Sequence, residues 1–181
     1  MNRTEIMNIL PHRDPMLLVD EVYLENDVAY ATYTVKGDEF FLQGHFPNYP
    51  VVPGVILCEI MAQSSCLLLV DELVGRTPFY AGIDKVRFKR QVRPGDLLQI
   101  KAQIIQRKNL LFVVNAEIKV SGSLCVSGLL TFVLVDNDKV SVSNINRQII
   151  ALRSTVGQYK TEVMRDRILD ALYKKIDLEP D

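Results

Sequence analysis

Tryptophan is absent from this 181-residue chain, histidine occurs only twice, and cysteine only three times. With just His12 and His45, the inventory of neutral-pH acid–base groups is very short. Neither sign of charge dominates: the formal net charge is −1, which argues against a nucleic-acid binder driven by bulk electrostatics. Long apolar runs are missing too. Glu59 interrupts the longest one and Asp71 and Glu72 close it, so no stretch reaches the roughly 20 residues a membrane span needs. The start of the chain, MNRTEIMNILPHRDP, is too polar and too interrupted for a signal peptide, so a cytoplasmic location is the expectation. Two of the cysteines, Cys58 and Cys66, fall on one predicted helix, about 12 Å apart along its axis, too far for a disulfide. Together with Cys125 they read as reduced thiols.

What is present is concentrated between Gly44 and Gln63, in GHFPNYPVVPGVILCEIMAQ. His45 sits in a loop stiffened by Pro47, Pro50 and Pro53, which can hold it in place without regular hydrogen bonding. Pro53 occupies the expected first helical position, and the run Val55 to Val74 has neither proline nor glycine until Gly75, a natural stop. That run is apolar nearly all round its first turns, so the helix is expected to be wrapped by other elements. Glu59 lies inside it.

Strand patterns surround the helix. VAYATYTV (28–35), FYAGIDKVRFKRQV (79–92), DLLQIKAQIIQR (96–107), LLFVVNAEIKV (110–120) and LCVSGLLTFVLVD (124–136) are rich in β-branched and aromatic residues. Tight turns at Lys108-Asn109 and Ser121-Gly122 predict an antiparallel meander. About 48% hydrophobic content suffices for one main core. The fold class expected is α+β, a curved antiparallel sheet wrapped round a long central helix over residues 1–136.

Three blocks in order, LPHRDPMLLVDEV (10–22), the Gly44–Gln63 segment and IDKVRFKRQVRPGD (83–96), closely resemble the (3R)-hydroxyacyl-acyl-carrier-protein dehydratases of bacterial fatty-acid synthesis. The branch resembled is the one with glutamate on the helix. The resemblance covers residues 10–136 and implies a hot-dog fold and dimers that share two active sites, often as a trimer of dimers. It also implies dehydration of a β-hydroxyacyl chain carried on the phosphopantetheine of acyl carrier protein, with no metal and no bound cofactor. In that family the histidine of one subunit works with the glutamate of the other, which would pair His45 with Glu59 of the partner chain. An aromatic gate to the acyl tunnel would fall at Phe79 or Tyr80.

The chemistry asks for the same groups. Removing water from a β-hydroxyacyl thioester needs a base for the Cα proton, an acid for the hydroxyl and a donor for the thioester carbonyl. His45 suits the first role. Glu59 suits the second, because desolvation raises a carboxyl pKa. The helix N-terminus at Gly54 and Val55 suits the third. Gln63, one helical turn after Glu59, is placed to orient its carboxyl. His12 is read as a structural part of the N-terminal segment, and Cys58 as core packing. Lys85, Arg87, Lys89, Arg90 and Arg93 form either a solvated strand face or a cationic rim for an acidic carrier protein.

Two features depart from the family pattern. Asn48 follows the HFP triplet where glycine is frequent, but asparagine tolerates the left-handed region better than most residues. Residues 137–181 form an extension with Ile145, Ile149, Leu152, Val156, Tyr159 and Val163 at heptad spacing, followed by a second helical stretch at 167–176. It would pack on its own sheet or oligomer, or dock another synthase component. Alternative readings for the whole chain are a hot-dog thioesterase or isomerase, or a non-catalytic acyl-binding subunit. Neither nucleic acid nor membrane is an expected partner.

Overall fold

The structure, a computed structural model, describes residues 1–136. A short α1 (Arg3–Ile6) is followed by β1 (Glu21–Glu25), β2 (Val28–Thr34), α2 (Gly54–Ser64), β3 (Arg76–Phe88), β4 (Leu97–Lys108), β5 (Leu111–Val120) and β6 (Ser123–Asp136). Short 3-10 turns lie at Phe40–Leu42 and Cys66–Leu69. All six strands form one antiparallel sheet in the order β1-β2-β4-β5-β6-β3. α2 packs across one face of it against β2, β4, β5 and β6. This is the helix-in-sheet arrangement expected, a hot-dog fold.

The hairpins follow from local chemistry. Asn26-Asp27, Asn109 and Ser121-Gly122 all have positive φ, as the two-residue turns of right-twisted hairpins require. The turn joining β4 to β5 is Asn109-Leu110, one residue later than predicted, because Lys108 pairs with Leu111. Alternation along β4 and β5 sends Leu98, Ile100, Ala102, Val114, Ala116 and Ile118 to the core, with Leu57, Ile60 and Met61 of α2.

Three sequence expectations need correction. The meander holds only for β4-β5-β6: β3 pairs with β6 at the far edge of the sheet. The chain leaves β2, passes through α2 across the sheet face and re-enters on the opposite side. The helix ends at Ser64 and does not reach Val74, because the Ser65 hydroxyl bonds the Ala62 carbonyl at 2.6 Å and the backbone tightens into a 3-10 turn. Gly75, at φ 68°, ends that irregular stretch. Pro53 is the N-cap and Gly54 the first helical residue. The helical segments predicted beyond Lys139 lie outside the described residues.

Candidate active site

The His45 loop is a built structure. Pro47 and Asn48 are the central residues of a tight turn in which Phe46 and Tyr49 exchange backbone hydrogen bonds at 3.1 and 3.0 Å. Asn48 has φ 63°, so it occupies the left-handed position of a type II turn, with proline before it. Val51 N–H then donates to His45 O at 3.0 Å, and Val52 N–H to Val92 O at 2.9 Å. Regular backbone hydrogen bonds therefore hold the loop, in addition to its prolines.

Within it the His45 ring stacks on Phe46, with centroids 4.2 Å apart. Its Nδ1 lies 2.8 Å from Val51 O. A carbonyl can only accept, so Nδ1 carries the proton and Nε2 keeps a lone pair. That is the tautomer a base needs. His45 lines a cavity of about 460 Å³ with Gly54, Leu57, Phe88, Lys89 and Arg90. The first intrahelical hydrogen bonds of α2 run from Ile56 and Leu57 to Pro53 O, leaving the N–H groups of Gly54 and Val55 at the helix terminus beside that cavity. Gly54 is closely approached: a Cβ there would stand 2.9 Å from two ring atoms of Phe88, which would have to shift.

Glu59 faces a different cavity, of about 200 Å³, lined by Leu10, His12, Gln63, Leu69, Phe79 and Tyr80, among others. Gln63 is buried and fully used. Its Nε2 donates to Glu59 Oε1 and to Met16 O, and its Oε1 accepts from Leu18 N–H, all at 2.8 Å. His12, read from sequence as merely structural, has its Nε2 3.3 Å from Glu59 Oε1. The raised carboxyl pKa expected for Glu59 needs correction. Burial does push it up, but hydrogen bonds from His12 and Gln63 and the His12 charge outweigh burial and hold it below the ordinary glutamate value.

Phe79 and Tyr80 both line the Glu59 cavity. The Tyr80 hydroxyl donates to Cys58 O at 3.0 Å, and its ring lies 5.2 Å from that of Phe132. Tyr80 is thus a wall anchored to α2. Burial, with the Glu59 charge second, drives its pKa upward, so the phenol stays neutral. Cys58 is buried, and burial raises its thiol pKa as well. All three cysteines are free.

The cationic residues are exposed, and several gather near His45. Lys89 and Arg90 line its cavity. The Arg93 guanidinium sits 4.1 Å over the Tyr49 ring, while Tyr49 and Arg93 both donate to Gln91 Oε1 at 3.0 Å. Lys85 lies within a register shift of β3 between Asp84 and Arg87, where it takes φ 53°. Among the described residues no group of three or more His, Cys, Asp or Glu side chains of the kind that holds a metal occurs. No helix among them is long and apolar enough to cross a membrane.

Comparison with known proteins bears on this geometry. A family model for the FabA-like domain matches residues 10–128. A second, for the ThiF family, matches residues 119–180, overlapping β5 and β6 and continuing past the described residues. The chain is 46% identical over 139 residues to the 3-hydroxyacyl-[acyl-carrier-protein] dehydratase FabZ of Clostridium perfringens, covering 74% of this chain and 99% of that protein. It is 47% identical over 137 residues to the FabZ of Lactococcus lactis subsp. cremoris, covering 74% and 95%. Among solved structures, the dehydratase heterocomplex ApeI:P from Xenorhabdus doucetiae aligns with a TM-score of 0.61 at 20% identity, over 79% of this chain and 97% of that one. A hypothetical thioesterase with coenzyme A from Streptococcus pneumoniae aligns at 0.51 and 17%, over 64% and 85%. These two likenesses show the shared fold.

Proposed function

The chain belongs to the FabA-like family, with the 3-hydroxyacyl-acyl-carrier-protein dehydratases as its relatives, and from that premise we propose that it is a hydro-lyase converting (3R)-hydroxyacyl-acyl-carrier protein into the trans-2-enoyl form during fatty-acid or related acyl-chain synthesis. The observation that carries this reading is the single cavity holding both the His45 ring and the Gly54 end of α2. Nε2 of His45, free because Nδ1–H is committed to Val51 O, takes the Cα proton. The thioester carbonyl accepts hydrogen bonds from the terminal N–H groups of Gly54 and Val55, where the helix dipole favours the developing enolate charge. The glycine keeps that approach open. Glu59, oriented by Gln63, delivers a proton to the departing hydroxyl. These groups and a carrier-bound thioester suffice, so the proposal includes no metal or cofactor.

His45 and Glu59 of one chain line separate cavities, which supports a shared site in which Glu59 of a second copy completes the His45 cavity. The edge position of β3, a strand of 13 residues with exposed Ile83 and Phe88, offers a surface for that second copy. Dimers and trimers of dimers are both compatible with it. Lys89, Arg90 and Arg93, with Lys85 and Arg87 further along, form a cationic rim for the acidic carrier protein. Residues 1–136 carry the catalytic fold, and the stretch from 137 on, of which residues 137–180 fall within the ThiF-family match, engages another component of the pathway. The enzyme works in the cytoplasm.

The test is interconversion of crotonyl- and 3-hydroxybutyryl-carrier protein by the purified chain. Activity is expected in the parent and is lost in His45→Ala and Glu59→Gln. Full turnover by either variant, or free thiol released in place of hydrated product, would overturn the assignment.

A further inference from the structure

Glu59 is held ionised at neutral pH, yet the proposed reaction asks it for a proton. A hydrogen bond from Gln63 Nε2 at 2.8 Å and an ion-pair contact from His12 Nε2 at 3.3 Å converge on Oε1. The protein groups facing the carboxylate can be taken one by one. Gln63 is an amide and has no proton to lose. From β3, Tyr80 is committed to Cys58 O and kept neutral by burial. On α2 the Cys58 thiol is raised by burial, and Cys66 just beyond it is pushed up to about 12. None of these changes charge near neutrality. An imidazole does.

The placement of His12 is also specific. Arg13 cinches its loop by donating to Leu10 O and His12 O at 2.9 and 2.7 Å. Gln63 ties the following residues to α2 through Met16 and Leu18. The ring is thereby pinned against the helix from the side of the cavity that also contains Glu59. Its Nδ1 is buried without a hydrogen-bond partner among the described residues. An orphaned buried ring nitrogen carries a desolvation penalty, which packing alone does not account for.

We propose that His12 is a positioning residue that acts through Glu59: it fixes Oε1 and supplies the proton that Glu59 passes to the leaving hydroxyl. This rests on the dehydratase reading above. In the step, Nε2–H of the His12 imidazolium moves to the Glu59 carboxylate, and the carboxyl so formed passes its proton to the β-hydroxyl. The Cβ–O bond then breaks and water leaves. The electron pair of the Cα–H bond becomes the new double bond, and that proton ends on His45 Nε2. Charge is conserved: His12 becomes neutral, Glu59 is a carboxylate before and after, and His45 becomes the imidazolium. Solvent returns a proton from His45 to His12 before the next turnover.

The test is His12→Gln, which keeps a neutral donor but has no proton to give. A lost proton donor is expected to lower kcat about 100-fold at pH 8 with KM within about twofold, and the deficit shrinks several-fold at pH 5.5, where Glu59 can be protonated from solvent. A kcat within about threefold of the parent at pH 8, or a deficit equal at every pH, would overturn the inference. Glu59→Gln is assayed alongside. If that variant turns over fully, the dehydratase reading itself fails; if it is dead while His12→Gln is normal, only the role of His12 fails. Should His12→Gln not fold, 15N spectra of the His45→Gln chain decide, because His12 is then its sole imidazole. Its Nε2 is expected to carry a proton directed at Glu59, with a signal that a further Glu59→Gln change shifts. An Nε2 without a proton, or a spectrum indifferent to that change, would refute the relay.

Discussion

Replacing Gln63 by leucine is expected to destabilise the fold far more than a change at one side chain's polarity suggests. The residue is 2% exposed and serves three partners at once: Leu18 N–H, Met16 O and Glu59 Oε1. Leucine fills much of the volume but satisfies none of them. Leu18 is itself 1% exposed, so its amide would be orphaned, at about 1–3 kcal/mol. Met16 lies nearer solvent, so its carbonyl can turn to water at little cost. Losing the charge-assisted bond to the partly exposed Glu59 adds about 1–2 kcal/mol. The sum is about 2–5 kcal/mol, or a fall in Tm of roughly 6–15 °C for a domain of this size. Urea unfolding at fixed protein concentration measures it, with an unchanged m-value confirming that the same surface is exposed. A loss below about 1 kcal/mol would show that the N-terminal segment does not depend on this side chain.

Two further outcomes follow from the same geometry. Gly54→Ala separates stability from catalysis: the new methyl meets the Phe88 ring at 2.9 Å, but that ring is 55% exposed and can swing aside, while alanine favours the helix by up to about 1 kcal/mol. Unfolding should shift by less than about 1 kcal/mol while kcat/KM falls about 10- to 100-fold, because the methyl obstructs the carbonyl site; unimpaired turnover would place the carbonyl elsewhere. Acid should weaken the fold through Glu59, whose folded pKa lies below the ordinary 4.5. Its stabilisation is fully present above that value and is lost as pH falls through the lower folded one, so Glu59→Gln should flatten the decline below pH 4.5 in thermal melts. An identical decline in the variant would remove Glu59 as its source.

The strands and the His45–Glu59 segment were legible because their signals are local. Alternation marks a sheet face, Asn48 tolerates positive φ, and helical spacing sets Gln63 beside Glu59. What escaped notice depended on contacts between distant parts of the chain. Nothing near His12 in sequence reveals that its ring meets Glu59, since the meeting is made by tertiary packing through Gln63. The opposition between burial and hydrogen bonding at Glu59 is likewise invisible from an apolar helix alone. The early end of α2 did have a signal: the Ser64-Ser65 pair, whose second hydroxyl competes for an intrahelical carbonyl. The β1–β2 hairpin had one too, in Asn26-Asp27 between two alternating runs. The place of β3 had none, because adjacency in a sheet is decided by where α2 carries the chain.

The cavity beside Glu59 also bears on redesign. Its polar side chains, His12, Glu59 and Gln63, are braced by the N-terminal segment and α2, whereas much of its apolar lining comes from Leu69, Leu73, Pro78 and Phe132. None of those four takes part in the polar bracing. The shape of that cavity is therefore adjustable independently of its polar bracing, and the two can be varied in separate rounds of mutation.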